Sequence, residues 1–201
     1  MIPAKRRFDV VRFMVVVVVC VLFPPWPDAV GDVTNEDVSE FVHEHVALAE
    51  NILHSTSCIA GLRAKSCQQR LEKLVDRVLN FHQLTLVATR GLKLEEPTEK
   101  FAVRFRAMLV QQWKSYLTGE PHVGLSVLAV TDQSARLQVT RGTSVSVLEF
   151  AIIHDGRRFW IQDITYNGPS LANTYRPQFA RSLAQDGWVG LLRKVSQAAE
   201  R

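Results

Sequence analysis

From Val38 to Leu117 the apolar residues of this 201-residue chain recur every three to four positions, and from Val123 to Tyr166 they recur at every second one. A helix and a strand cannot share one apolar pattern, so this change of period divides the chain into helices, then a small sheet, then helices again. Four period-two runs follow one another, at 123–130, 135–141, 144–153 and 157–166. They read as a four-stranded antiparallel meander. Asp155-Gly156 predicts a two-residue turn between the last two strands, because both residues tolerate positive φ. In the second strand Leu137 and Val139 alternate with Arg136, Gln138 and Thr140, which makes one face wet. The third carries Leu148, Phe150 and Ile152 on one side and Val145, Val147, Ala151 and Ile153 on the other, so it is expected to be central and covered on both faces.

The flanking helices follow from caps and periodicity. Thr34 can cap a helix over Asn35–Leu53, whose Val38, Phe41, Val42, Leu48, Ile52 and Leu53 form one face. Ser66 can cap a second helix reaching about Asn80, with Leu71, Leu74, Val75, Val78 and Leu79 as its stripe. Residues 81–89 read as a short third segment and 91–97 as a connection. Thr98 opens the strongest pattern, with Phe101, Phe105, Met108, Leu109, Trp113 and Leu117 on one face and Gly119 and Pro121 beyond its end. Ser170 caps a helix to about Gln185 in which Pro177 should force a kink or a restart. Asp186 and Gly187 begin a last one carrying Trp188, Leu191, Leu192 and Val195. The expected architecture is one α+β domain, with the meander sheet packed against amphipathic helices.

Ahead of this domain, residues 13–23 are an unbroken apolar run behind Lys5, Arg6, Arg7 and Arg12, closed by Pro24, Pro25 and Pro27. The run is shorter than the roughly 20 apolar residues of a spanning helix. It reads as a signal peptide over 1–31 with cleavage after Gly31, followed by a domain over 32–201, an uncleaved anchor being the alternative. Removing 1–31 takes away those four basic residues with Asp9 and Asp28, so the net charge of +4 falls to +2. That is too little for a nucleic-acid footprint. With 47% apolar and 22% charged residues the chain is neither disordered nor polytopic.

Export to an oxidising compartment would permit Cys58 and Cys67 to pair. A helix break near Gly61 would bring them together, and such a bridge contributes roughly 2–3 kcal/mol by loop entropy. Two buried free thiols are equally compatible with the spacing. No metal site is expected: the pair lacks close C-x-x-C spacing, and His43 and His45 point to different sides of their helix. No nucleophile elbow, phosphate loop, zinc-protease or dinucleotide motif occurs in 32–201, so the chain carries no catalytic mark.

From Phe159 the stretch FWIQDITYNGPSLANTYRPQFARSLAQDGWVGLL resembles the C-terminal signature of the MlaC and toluene-tolerance family of periplasmic lipid carriers. That signature runs approximately W-x-V-x-D-V-x-x-x-G-x-S-L, then Y-R-x-Q-F and a late G-x-x-G-L. Asp163, Gly168, Ser170, Leu171, Tyr175, Arg176, Gln178, Phe179 and Gly187 match it in spacing. Residues 70–79 and the F-x-x-x-F-x-x-x-L-x-x-x-[YW] places taken by Phe101, Phe105, Leu109 and Trp113 agree as well. Phe159 stands at the family's usual tryptophan, and Pro169 where an aliphatic residue is common.

The resemblance implies a periplasmic carrier of phospholipid or a related lipid, its tails held in an apolar pocket between sheet and helices. It implies as partners an inner-membrane ABC transporter with a lipid-binding ring protein and an outer-membrane lipoprotein complex, with no cofactor and no catalysis. The pocket residues would be Val78, Phe101, Phe105, Leu109, Trp113, Leu148, Phe150, Phe159, Ile161, Tyr175 and Phe179. Arg176 is expected at the rim or paired with a carboxylate, while Tyr175 and Phe179 face the sheet or pocket. Without the resemblance the same apolar residues would be ordinary core. The rival readings are an envelope hydrolase, needing a polar cluster around Asp163 and Tyr166, a hopanoid-type lipid binder, and a lipid-free envelope adaptor.

Overall fold

In the computed structural model the described residues are 34–59, 65–117, 123–166 and 168–200, without the side chains of 57, 59 and 113–117. The leader expected over 1–31 and the Trp113 side chain lie outside them. Six helical segments flank the sheet: α1 Asn35–Leu53, α2 Thr56–Ile59, α3 Lys65–Val78, α4 Phe81–Ala88 and α5 Thr98–Leu117 before it, and α6 Leu171–Glu200 after it. The strands β1 Val123–Val130, β2 Ser134–Arg141, β3 Ser144–His154 and β4 Phe159–Tyr166 pair in chain order as the expected antiparallel meander.

Helix α1 starts on a reciprocal cap, with Thr34 Oγ1 accepting from the Asp37 amide and Asp37 returning a bond to the Thr34 amide at 2.9 Å. Asn80, expected inside a helix, instead caps α4 by accepting from the Gln83 amide at 3.0 Å. A short side chain that binds the backbone three residues on competes with helix continuation, which is why α3 stops at Val78. The Asn80 amide is then free to donate to Ile161 O at 2.8 Å, and Leu79 forms a bridge with Ile161 along the outer edge of β4.

The two-residue turn expected at Asp155-Gly156 is not formed there. The tight two-residue connection is Gly142-Thr143, between the paired Arg141 and Ser144, with Gly142 at φ 53°. His154 pairs with Phe159, so the β3–β4 loop has four residues rather than two. Asp155 explains the longer loop. One of its carboxylate oxygens accepts from the Arg157 and Arg158 amides at 3.0 Å each, and the other from Trp160 Nε1 at 2.7 Å. β4 gains a bulge where the pairing steps from Ala151 with Asp163 to Ile152 with Ile161, and β1 gains one at Leu128.

Register and alternation put Leu125, Val127, Leu137, Val139, Leu148, Phe150, Ile152, Ile161 and Ile164 on the face turned to the helices. The other face carries Arg136, Gln138, Glu149 and Trp160, of which Arg136 and Glu149 are exposed. Strand β3 is therefore internal but not covered on both sides: Val145, on the outward face, is 58% exposed. An antiparallel sheet needs only one dry face, and the apolar residues on the outside of β3 are simply half-buried by their neighbours.

Pro177 neither kinks nor restarts α6. The only non-helical residue inside the segment is Gly187, at φ 66° and ψ −170°, where two helices meet. Gln178 Nε2 donates to Thr174 O at 3.1 Å in the turn from which the proline removes an amide donor. At Gly187 the chain folds back so that a β-carbon on Gly190 would lie 2.1 Å from Asp186 Cβ, and Lys194 reaches across the break to Asp186 at 2.6 Å.

Two outcomes follow. Gly187→Ala should destabilise the protein by about 1–3 kcal/mol in a denaturant titration, because only glycine occupies that backbone region without strain; an unchanged midpoint would show that the break does not depend on it. The Asp155 carboxyl is held down at about 2 by the Trp160 indole N–H first and then by the two loop amides, against an ordinary 3.8. Its folded value is the depressed one, so its support for the loop is complete above 3.8 and disappears as the pH falls toward 2. The Trp160 indole proton resonance should titrate with a midpoint near 2, and a midpoint near 3.8 would mean that the bond is absent.

Candidate functional site

Three apolar clusters fill the space between the sheet and the helices. The largest joins α4, α5 and α6 to β4 and contains Val78, Phe101, Phe105, Leu109, Ile161, Tyr175 and Phe179. Of the expected pocket residues these seven come together. The second lies under α1, where Val38 and Val42 meet Ala135, Leu137 and Ile152. The third surrounds the Cys58–Cys67 disulfide, whose Cα atoms are 5.0 Å apart, together with Ile52 and Val123. Phe150 packs against the first two clusters, and Phe159 belongs only with the second, away from the aromatic group.

The aromatic residues of α5 and α6 serve each other more than they serve the sheet. Phe105 meets Tyr175 and Phe179 edge to face at 5.0 and 5.2 Å, and Phe101 meets Phe179 at 5.4 Å and Trp188 at 5.6 Å. Tyr175 and Phe179 thus lie against α5, and the Tyr175 hydroxyl donates to Gln112 Oε1. The same two residues share their cluster with Ile161 of β4, so rings spaced by four on α6 pack against α5 within the core that also meets the sheet.

Leu148 behaves differently. It sits on the inner face of an internal strand, between Leu137 on β2 and Tyr166 on β4, yet it is only half-buried and belongs to none of the three clusters. Leu125 and Val139, on the same face, are half-buried as well. Leu125 and Val139 nevertheless pack against the third cluster, which leaves Leu148 as the inward apolar residue at this end that none of the clusters takes in. Its margin is polar: Ser146 Oγ lies 3.2 Å from the hydroxyl of Tyr166, which is 57% exposed. Such a surface can hold apolar chains by excluding water and can offer two hydroxyls to an ester or head group. Leu125, Val139 and Tyr166 were missed as site residues. Their only signal was alternation, which marks an inward face without saying how well it is covered.

The motif residues of the C-terminal third build a joint. Asp163 Oδ1 accepts from the Ile164 amide at 2.8 Å and from the Ala172 amide at 3.2 Å, tying β4 to the first turn of α6. Ser170 Oγ caps the same helix by accepting from the Asn173 amide at 3.2 Å, and Gly168 makes the turn at φ 151°. Leu171 packs on the large cluster. Arg176 pairs with no carboxylate among the described residues. Its Nε and Nη2 donate to Val87 O at 3.2 and 2.7 Å, so the guanidinium satisfies a carbonyl of the last turn of α4 and places a cation at the negative end of that helix. Asp163 and Tyr166 are three residues apart on β4 and alternate to opposite faces. The two therefore do not share one polar cluster.

Among the described residues no group of three or more His, Cys, Asp or Glu side chains could hold a metal, and no helix is long and apolar enough to cross a membrane. No protein-family model and no curated protein matches the chain. Among solved structures, the phospholipid-binding protein from Ralstonia solanacearum in complex with a phospholipid superposes with a TM-score of 0.66. The identity is 19%, over 82% of this chain and 97% of that one. The chain shares that protein's α+β fold.

Arg176→Ala should lower stability by about 1.5–3 kcal/mol, the usual worth of a hydrogen bond from a charged group. Thermal unfolding checks this, and an unchanged Tm would show that the Arg90 amide, 3.4 Å from Val87 O, suffices for that carbonyl.

Proposed function

We propose that this chain is a lipid-binding protein that shelters acyl chains between its sheet and its helices. The observation that carries the reading is Leu148, an inward leucine on an internal strand that is only half-buried and belongs to none of the three clusters. The fold shared with a phospholipid-binding protein caught in complex with phospholipid supports it. Each tail CH₂ kept from water is worth about 0.8 kcal/mol, so a lipid cannot cross an aqueous space without such a sheath. A membrane shelters the same tails equally well, so the pocket gives no direction to transfer. Direction must come from partners.

The resemblance of the C-terminal third to the MlaC and toluene-tolerance family extends the proposal. On that reading the chain is exported to the periplasm by its leader and shuttles phospholipid or a related lipid between the outer membrane and an inner-membrane ABC transporter with its ring protein. It binds and does not catalyse. The dispersal of Asp163 and Tyr166 to opposite faces favours this over a hydrolase.

Protein purified from an envelope extract without detergent should carry stoichiometric lipid in native mass spectrometry. Leu148→Arg should abolish that lipid and Leu148→Met retain it, with circular dichroism and Tm confirming that both variants fold. Lipid-free wild type that also refuses added phospholipid would overturn the proposal.

A further inference from the structure

A cleft of 380 Å³ opens between α1, α3 and the β3–β4 loop, apart from the surface around Leu148. His154, on its wall, lies six residues along β3 from Leu148, roughly 20 Å at strand spacing, with the buried Ile152 between them. Four rings run along the cleft in an unbroken row: His45 to Phe41 at 4.5 Å, Phe41 to Phe159 at 5.6 Å, and Phe159 to His154 at 4.8 Å.

The walls above the rings carry opposite charges. Helix α1 supplies Asp37, Glu40 and Glu44; α3 supplies Arg77, and the loop supplies Arg157 and Arg158. Most of these are already engaged. Asp37 is held in the Thr34 cap, Glu44 lies 3.7 Å from Arg77, and the Arg158 guanidinium stacks 3.5 Å over the Trp160 ring. That leaves Glu40 and Arg157, one of each sign, both exposed and both lining the cleft, with no side-chain hydrogen bond or ion pair among the described residues.

We infer that this cleft binds a zwitterion of the phosphocholine or phosphoethanolamine class, its phosphate on Arg157 and its ammonium between Glu40 and the faces of Phe41 and Phe159. A guanidinium offers a planar fork that fits phosphate, and a ring face together with a carboxylate suits an ammonium group. The three acids and three arginines balance, so a molecule of single sign meets a repelling wall that a zwitterion avoids. The same chemistry occurs on a soluble glycerophosphodiester and on a head group in a bilayer.

The test titrates ¹⁵N-labelled full chain with glycerophosphocholine, and separately with choline and with inorganic phosphate. Saturable shifts at the amides of Phe41, His154 and Phe159 are expected with glycerophosphocholine, and each half-molecule alone should bind at least about tenfold more weakly. Glu40→Gln and Arg157→Gln should each cost about tenfold in affinity with Tm unchanged, as removal of one charge-assisted contact requires. Co-sedimentation with phosphatidylcholine vesicles, lost in the double variant, assigns the site to bilayer head groups; shifts with glycerophosphocholine but no vesicle binding assign it to the soluble ester. Absence of both responses, or equal binding of phosphate alone, overturns the inference. Lipid retained in native mass spectrometry is unaffected by either variant, so this result and the tail-binding proposal stand or fall separately.

Discussion

The interlocked rings of α5 and α6 are the constraint on which the remaining architecture depends. Phe101 and Phe105 are wholly buried, and each is fixed by rings from α6 that meet it mostly edge to face. Edge-to-face pairs have a definite geometry, so they set the relative position of two long helices rather than merely holding them together. Once that position is set, α4 has only the groove between them, where Leu84 and Ala88 are fully buried and Arg176 secures its last turn. The sheet meets this helical layer along β4 through Ile161 and Ile164.

The inner surface is covered by three separate clusters rather than one. At the β4 side the contact is close, and at the far side α1 and the disulfide-linked segment close over β1 and β2 as separate clusters. Leu148 lies between these three anchored regions. A single continuous core would have collapsed upon it, because interiors pack densely when nothing holds the layers apart. Here the Cys58–Cys67 bridge and the Asp76–Arg106 pair, joined by two bonds of 2.6 Å between α3 and α5, brace the roof from the side.

Much of this was legible in the sequence. The change of period at Val123 fixed the order of elements, and alternation located every strand to within two residues. What escaped was local competition between side chains and backbone. Asp155 gathers three donors and lengthens a loop, Asn80 ends one helix by starting another, and Arg176 finds a carbonyl 89 residues away. Each choice depends on which partner is within reach, and reach is a property of the folded chain. For the site, composition identified the apolar residues, but the difference between Phe105, which is packed, and Leu148, which is not, lies in how two layers are held, and no residue type encodes it.

The bond from Arg176 to Val87 also has a meaning in time. Val87 leaves the ribosome 89 residues before the side chain that satisfies it, a wait of roughly 4–18 s at ordinary elongation rates. During that interval the apolar faces of α3, α4 and α5 exist without β4 or α6 to cover them. The meander can pair strand by strand as it emerges, since each strand meets its immediate predecessor, but the roof cannot be assembled until the last helix is made. The chain is therefore most exposed to aggregation late in its synthesis, with a finished sheet and an unfinished lid.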